Sequence, residues 1–549
     1  MTRRVDPSSP PRDHRAADPP WWASGVVYEI YPRSFQDTNG DGVGDLEGIR
    51  RRLDYLSWLG VDAIWIAPFY RSPMADFGYD VADHTDVDPL FGDLAVFDRL
   101  LADAHRRGLR VIVDFIPNHT SDRHPWFVES RASRDSKKRD WYVWRDPKPD
   151  GSPPNNWISM FGGPAWEWDA ATGQYYLHTF LAAQPDLNWR NPAVREAMFD
   201  VARFWLDRGV DGFRIDVAQF VMKDPELRDN PPNPEPETLA RLGTWAAQLH
   251  LYDHGHPDVH EVYRAFRRLV DGHDPGRARV TIGELHHPDY EVWAGYYGDL
   301  DEIHLPFNFH LLHAPWEAVR VRAVVEAVEA ALPRGAVANW VLGNHDQRRL
   351  ASRVGPRQAR VATMLLLTLR GAPTLYYGDE LGTLDGVIPP DRVRDPWERN
   401  VPGLGRDPGR TPMAWDGSPN AGFCPPGIEP WLPLAPGWEE RNVATEADDP
   451  RSLLSLTRRL LELRKRHPAL ASGSYRGVDG PPGTVCFVRT PPAGPEALVA
   501  LNLGTEAVRV PLGGRGGRIV LSTECDRTDE PVGPEELVLR ADEGCIVER

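Results

Sequence analysis

Eight short apolar runs punctuate the first two-thirds of the chain: VVYEIYP (26–32), AIWIAP (63–68), RVIVDFIP (110–117), GFRIDV (212–217), VTIGEL (280–285), EIHLPFNF (302–309), ANWVLGN (338–344) and PTLYYGD (373–379). Longer amphipathic stretches separate them. Short apolar strands alternating with helices predict βα units around a parallel sheet. Eight such units close a (β/α)₈ barrel. A doubly wound sheet would show the same alternation, but no GxGxxG turn follows a strand, which favours the barrel. The helix signals agree. DLEGIRRRLDYLSWLG (45–60) and LAVFDRLLADAHRRG (94–108) both run to a glycine, a common helix stop. NPAVREAMFDVARFWLDRG opens with Asn191 as a cap and Pro192 in the first helical position, where a missing N–H costs nothing.

Three stretches break the alternation. Residues 118–178, rich in Trp, Pro and Gly, read as a small domain inserted after the third strand, so the barrel is expected over 21–117 and 179–470. Residues 223–259 contain DNPPNPEPE and predict a proline-stiffened loop over the barrel mouth, and 380–440 a second excursion after the last strand. Beyond the helix PRSLLSLTRRLLELRKRHPAL (450–470) come short β-like runs, TVCFVRT, ALVALNL, VRVPL and RIVLS. They predict a C-terminal antiparallel β-sandwich domain over 471–549. Residues 1–20, MTRRVDPSSPPRDHRAADPP, hold no apolar run and read as a disordered leader, with neither signal peptide nor membrane anchor.

Composition works mainly by exclusion. With 549 residues, 41% hydrophobic and 26% charged, the chain is ordinary for a globular protein of a large domain plus smaller modules. A net charge of −17 argues against nucleic-acid or anionic-membrane partners, which need a basic surface. No run approaches ~18 apolar residues, so no transmembrane helix is expected. Cys424, Cys486, Cys525 and Cys545 contain no CxxC pair, which argues against a disulfide framework or zinc site. A reducing compartment fits, and the cytoplasm is the expected location for a monomer or homodimer acting on a small molecule.

Candidate chemistry sits at the strand ends. In a (β/α)₈ barrel the working residues lie at the C-terminal ends of the strands. Here those ends carry Asn118 and His119, Arg214 and Asp216, Glu284, and Asn344, His345 and Asp346, each beside a strongly apolar run. Any one of them could simply cap a strand; four clusters on one rim point to a site. Their types suit cleavage of a glycosidic bond with retention, in which a carboxylate nucleophile and a carboxylic acid stand ~5–5.5 Å apart. A nearby arginine would hold the nucleophile ionised, and neighbouring carboxylates would raise the acid.

DFIPNHTS (114–121), GFRIDVAQF (212–220), TIGELH (281–286) and VLGNHDQ (341–347) resemble the four signature blocks of the α-amylase family of glycoside hydrolases. The blocks stand in order at the usual spacing, and the likeness runs from about Trp21 to the C-terminus. It implies Asp216 as nucleophile, Glu284 as acid/base and Asp346 as a third carboxylate gripping sugar hydroxyls, with His119, Arg214 and His345 lining the same subsite. The segment 157–192, particularly QPDLN (184–188), resembles the α-glucosidase and oligo-1,6-glucosidase branch, and other stretches resemble actinobacterial-type α-glucosidases. That branch implies Asp76 and Tyr79 of DFGYD in a terminal-glucose pocket, with Arg410 of RTPMAW paired to Asp76 across its floor; a surface ion pair is the plain alternative for Arg410. Phe161, Phe180 and Gln184 would stand beside the pocket, core packing being the alternative for both phenylalanines.

DTNGDGVGD (37–45) places acidic or amide side chains at alternate positions around glycines, a pattern that wraps oxygen around calcium. By resemblance it is a calcium loop with Asp37, Asn39, Asp41 and Asp45 as side-chain ligands and the Val43 carbonyl; a polar βα loop without an ion is the alternative. A second calcium is not expected, because Lys223 stands where the calcium-free branch has a lysine. Val217, after the nucleophile, would favour α-1,6 linkages in this branch, while the region after Glu284, LHHPDYEVWAGYYG, departs from the usual oligo-1,6-glucosidase sequence. The expected activity is exo-acting, retaining α-glucosidase. The alternatives are an oligo-1,6-glucosidase or a trehalose- or sucrose-isomerising or transglycosylating enzyme and, from another class, a non-catalytic amylase-like binding module.

Overall fold

The computed structural model describes residues 19–549, without the side chains of 236–241. Most of the expected leader, residues 1–18, lies outside the described residues. All eight apolar runs form strands: β1 (Val27–Ile30), β2 (Ala63–Ile66), β3 (Arg110–Phe115), β4 (Gly212–Ile215), β5 (Val280–Gly283), β6 (Leu305–Asn308), β7 (Asn339–Val341) and β8 (Ala372–Tyr376). They pair in parallel, each with its sequence neighbour, and β8 closes on β1 through Val27–Thr374. The barrel is therefore complete and has no open edge.

Successive side chains on a strand face opposite ways, and the two faces sort cleanly. Val27, Ala63, Trp65, Ile112, Val280, Ile282, Leu305, Phe307 and Val341 form the barrel's inner cluster. Tyr28, Ile64, Val113, Phe213 and Trp340 belong to the larger cluster under the surrounding helices. Both faces are apolar, which is why the strands read as continuous hydrophobic runs. At Gly212 an added Cβ would lie 2.2 Å from the Val280 carbonyl oxygen; the close approach of β4 to β5 leaves no room for a side chain.

Helix Pro192–Arg208 starts as expected. The Asn191 side chain accepts the Ala193 N–H (2.9 Å), and the helix ends at Gly209 with φ 99°. Two expected single helices are broken. The first divides at Arg52 into Leu46–Arg51 and Leu53–Leu59, and 450–470 divides at His467 into Leu453–Arg466 and Pro468–Ser472. The second break follows from Pro468, which has no N–H to continue the ladder.

After β3 the chain leaves the barrel to build helix Pro125–Arg131 and a three-stranded antiparallel sheet of Trp144–Arg145, Trp166–Asp169 and Gln174–Leu177. This insertion is tied to the loop after β4: Asn155 Nδ2 donates to Leu227 O (3.0 Å) and Trp157 Nε1 to Arg228 O (2.8 Å). The two loops thus make one wall above the barrel. At the C-terminus a six-stranded antiparallel sheet encloses a second apolar core with the pair Val508–Pro511 and Glu536–Leu539. Among the described residues no helix is long and apolar enough to cross a membrane.

Candidate active site

On β1, β3, β4 and β5 the inward row runs from apolar residues or glycine at the barrel's base to ionisable residues at the C-terminal rim. Two residues beyond Val27, Ile112 and Ile282 come Glu29, Asp114 and Glu284, while β4 presents Arg214 and then Asp216. Strand periodicity alone therefore brings these groups to one end. They open into a cavity of about 1290 Å³ lined by Asp76, Tyr79, His119, Asp216, Glu284 and Asp346, among others.

Arg214 is the hub. Its guanidinium is fully buried and donates through Nη1 to Asp216 Oδ1 (2.6 Å) and Asp114 Oδ1 (2.9 Å), and through Nη2 to Glu284 Oε2 (2.5 Å). One planar fork thus holds both candidate carboxylates side by side, an arrangement compatible with the short separation of retaining enzymes (~5–5.5 Å). Val217 is held at φ 36°, ψ 50°. Left-handed backbone is strained for a β-branched residue, and here it aims the Val217 N–H at Glu284 Oε2 (2.9 Å).

The two carboxylates differ in their donors. Burial pushes Asp216 well above the usual carboxylate range, more than Arg214 draws it down. Burial would also raise Glu284, but Arg214 and the His286 contact outweigh it and hold it down at about 2. Both directions run opposite to those expected from sequence, where a nearby arginine holds the nucleophile ionised and neighbouring carboxylates raise the acid. Glu284 receives contacts from Arg214, Val217 and His286, and Asp216 one from Arg214. Asp346 is held well below its usual range: burial opposes, but His345, Arg406 and Arg410 prevail.

The rest of the pocket is a connected network. His345 is gripped by Glu29 at Nδ1 (2.6 Å) and Tyr79 Oη at Nε2 (2.7 Å), and it lies between the parallel rings of Tyr31 and Tyr79. Gln184 Nε2 reaches both Asp76 Oδ2 (3.3 Å) and His119 Nε2 (3.2 Å). Phe161 and Phe180 line the cavity and also pack with Val217 and Phe220, so pocket wall and core packing coincide. Lys223 Nζ spans Asn118 Oδ1 and Asp186 Oδ2, both at 2.7 Å, and joins the inserted segment to the barrel.

One expected pair is corrected. Asp76 is bound not by Arg410 but by Arg406, whose Nη2 lies 2.7 Å from Asp76 Oδ1. Arg406 also reaches Asp346 Oδ1 (3.1 Å), is held by Asp395 (2.8 Å) and lies over the Phe161 ring at 5.0 Å. Arg410 turns instead to Asp346 Oδ1 (2.8 Å) and the His345 carbonyl (2.7 Å). The two arginines stand four residues apart in GRDPGRTPMAW, and only the path of the loop decides which faces Asp76. His286, 2.8 Å from Glu284 Oε1, is a further pocket residue that strand-end reasoning passed over, since it lies beyond the strand. The one signal for it was the departure of LHHPDY from the usual branch sequence.

The 37–45 loop connects β1 to the first helix. Asp37 accepts the Asn39 (3.0 Å), Gly40 (2.7 Å) and Gly42 (2.9 Å) N–H groups, and Asp45 caps the helix by accepting that of Gly48 (2.7 Å). Asn39 and Asp41 bond within the loop, and Val43 packs on the core. The donor set is oxygen, as calcium requires, and carboxylates have lone pairs to spare. Among the described residues no three acidic or histidine side chains converge as a metal-holding group.

A family model described as the α-amylase catalytic domain matches residues 29–473. The chain belongs to the α-amylase family. Among curated relatives of this α-amylase-family protein is a probable α-glucosidase of Rhizobium meliloti, 45% identical, covering 89% of this chain and 90% of the relative. An oligo-1,6-glucosidase of Parageobacillus thermoglucosidasius is 37% identical, covering 89% and 91%. Solved structures agree in fold. An α-glucosyl transfer enzyme, XgtA, superposes with a TM-score of 0.90 at 41% identity, covering 96% of this chain and all (100%) of that one. Trehalulose synthase MutB from Pseudomonas mesoacidophila superposes at 0.87 and 35% identity, covering 97% and 100%.

Proposed function

We propose that this α-amylase-family protein is an exo-acting, retaining α-glucosidase that removes terminal non-reducing glucose from short α-glucosides. The observation that carries this reading is the Arg214 fork holding Asp216 and Glu284 together in a pocket whose floor is closed by the Asp76–Arg406 pair. Asp216 attacks the anomeric carbon as Glu284 passes a proton to the leaving oxygen. Water then attacks the glycosyl-enzyme and returns its proton to Glu284. Arg214 offsets the charge of both carboxylates. Asp346, fixed by Arg406 and Arg410, accepts hydroxyl hydrogen bonds, and with Asp76, Tyr79, His119, Gln184 and His345 it surrounds one sugar ring. Phe161 and Phe180 give that ring an apolar wall. Val217 bears on linkage choice.

Incubation with maltose, isomaltose, sucrose and longer maltooligosaccharides, with products identified, tests the reading. Glucose alone, released faster from short chains, is the expected result. Internal cleavage of long chains would end the exo reading. Trehalulose or another new disaccharide would establish the second reading, an isomerising or transglycosylating enzyme, which the XgtA and MutB likenesses favour.

Calcium at 37–45 is a separate part of the proposal, supported by the oxygen-rich loop, and no catalytic step passes through it. Chelation is expected to lower the Tm, and added calcium to restore it; an unchanged Tm would assign the loop to hydrogen bonding alone. The four free cysteines fit a reducing compartment, and we place the enzyme in the cytoplasm as a monomer or homodimer.

A further inference from the structure

We propose that His286 is the positioning residue of the Glu284 acid, and that the two side chains hold in common the single proton that the leaving group takes. The proposal rests on Glu284 being the acid/base. Its ground is the asymmetry of the Glu284 carboxyl. Oε2 already accepts the Arg214 Nη2–H (2.5 Å) and the Val217 N–H (2.9 Å). Both donors point at that oxygen, so a proton placed there would face two others. The acid proton must therefore reside on Oε1. The hydrogen-bond partner at Oε1 is His286 Nε2, at 2.8 Å.

The imidazole is fixed rather than drifting at the rim. Its backbone N–H donates to Gln219 Oε1 (2.9 Å), and its ring stacks on Phe309 with centroids 4.4 Å apart and planes 12° from parallel. The side chain is 26% exposed, whereas that of Glu284 is 4% exposed. His286 therefore joins a buried acid to solvent. The titratable and charged groups facing the pair are Arg214 and Asp216 from β4, Asp346 from the loop after β7, His287 beside it, and His254 from the 223–259 loop. Burial pushes His254 down to about 4, so it stays neutral.

The chemistry balances without a further reactant. With Glu284 ionised, the imidazolium, protonated at both ring nitrogens, donates Nε2–H to Oε1; when that proton crosses, the ring is left neutral with Nδ1–H and its Nε2 accepts from Oε1–H. In the first step the Oε1 proton passes to the glycosidic oxygen while the bond from that oxygen to C1 breaks and the Asp216–C1 bond forms. In the second step the water oxygen bonds to C1 as the Asp216–C1 bond breaks, and the water's proton returns to Oε1. The Nε2 contact gives the Oε1 proton a second basic atom to rest on, so the pair keeps its proton to higher pH than Glu284 could alone beside Arg214. Loss of His286 should move the basic limb of the pH profile to lower pH.

The test compares wild type, His286→Gln and His286→Ala on methyl α-glucoside, a poor leaving group that needs the acid, and p-nitrophenyl α-glucoside, a good one that does not. Glutamine keeps a donor to Oε1 but cannot take up a proton. Near pH 7 both variants are expected to lose about tenfold or more in kcat/KM on the methyl glucoside and less than about threefold on the nitrophenyl glucoside, within the range of a general-acid contribution. The basic limb should shift by about one pH unit or more. Equal losses on both substrates with unmoved limbs would overturn the proposal. Tm values establish that both variants fold. Glu284→Gln separates the two levels: if it keeps activity on the methyl glucoside, the assignment of Glu284 fails, whatever His286 does.

Discussion

Asp216→Asn is expected to reduce turnover of α-glucosides by at least ~10³-fold while leaving the fold intact. The amide keeps the shape but cannot attack the anomeric carbon. Stability should be unchanged or slightly greater, and the sign follows from burial. Asp216 is raised well above its ordinary value in the folded state, so its contribution to stability is full below the unfolded pKa and is lost as pH rises through the folded one. The neutral amide has no such loss, and the Tm of the variant should gain on wild type as pH increases. Hydrolysis near the wild-type rate would remove Asp216 from the nucleophile's role. A Tm difference that shrinks with rising pH would contradict the electrostatic account.

Arg406→Met should have the next largest effect, on stability and activity together. The arginine binds Asp76, Asp395 and Asp346, and its side chain is only 6% exposed. Its removal strands buried carboxylates, a class of change that costs about 3–5 kcal/mol, read as a lower Tm or denaturation midpoint. On maltose, kcat/KM should fall by roughly 10²-fold through misplacement of the terminal sugar. Asp76→Leu added to Arg406→Met should recover part of the stability and none of the activity, because one stranded charge is gone, Asp395 still lacks its partner and the sugar's contacts stay lost. If Arg406→Met leaves short-substrate kinetics intact and Arg410→Met destroys them, the floor belongs to Arg410 after all.

The site was legible wherever its position followed from strand periodicity. Arg214, Asp216 and Glu284 lie on the inward row of apolar strands, and a period of two needs no tertiary information; Asp114 lies on the same row and was not singled out. Tyr79, Gln184 and Arg406 come from loops. Nothing in their local sequence says that Gln184 bridges Asp76 and His119, or that Arg406 rather than Arg410 meets Asp76. The division of the 450–470 helix could have been read from Pro468, whereas the break at Arg52 has no comparable local cause.

Protonation was the least legible property. Two carboxylates on neighbouring strands suggested an ionised nucleophile and a protonated acid. In the folded chain Glu284 collects donors from Arg214, Val217 and His286, while Asp216 has the guanidinium alone. How deeply each of two similar acids is buried, and how many N–H groups converge on it, are properties of assembled space.

By itself the sequence determined that eight apolar strands alternate with helices, close into a barrel and carry their ionisable residues to one rim. Those outcomes depend on local patterning, which repeats every few residues. Only the tertiary structure decided that Arg406 rather than Arg410 meets Asp76, that the Val217 N–H meets Glu284 Oε2, and that His286 meets Glu284 Oε1. These contacts join side chains from separate loops and strands, and their distances come from the packing of the whole barrel.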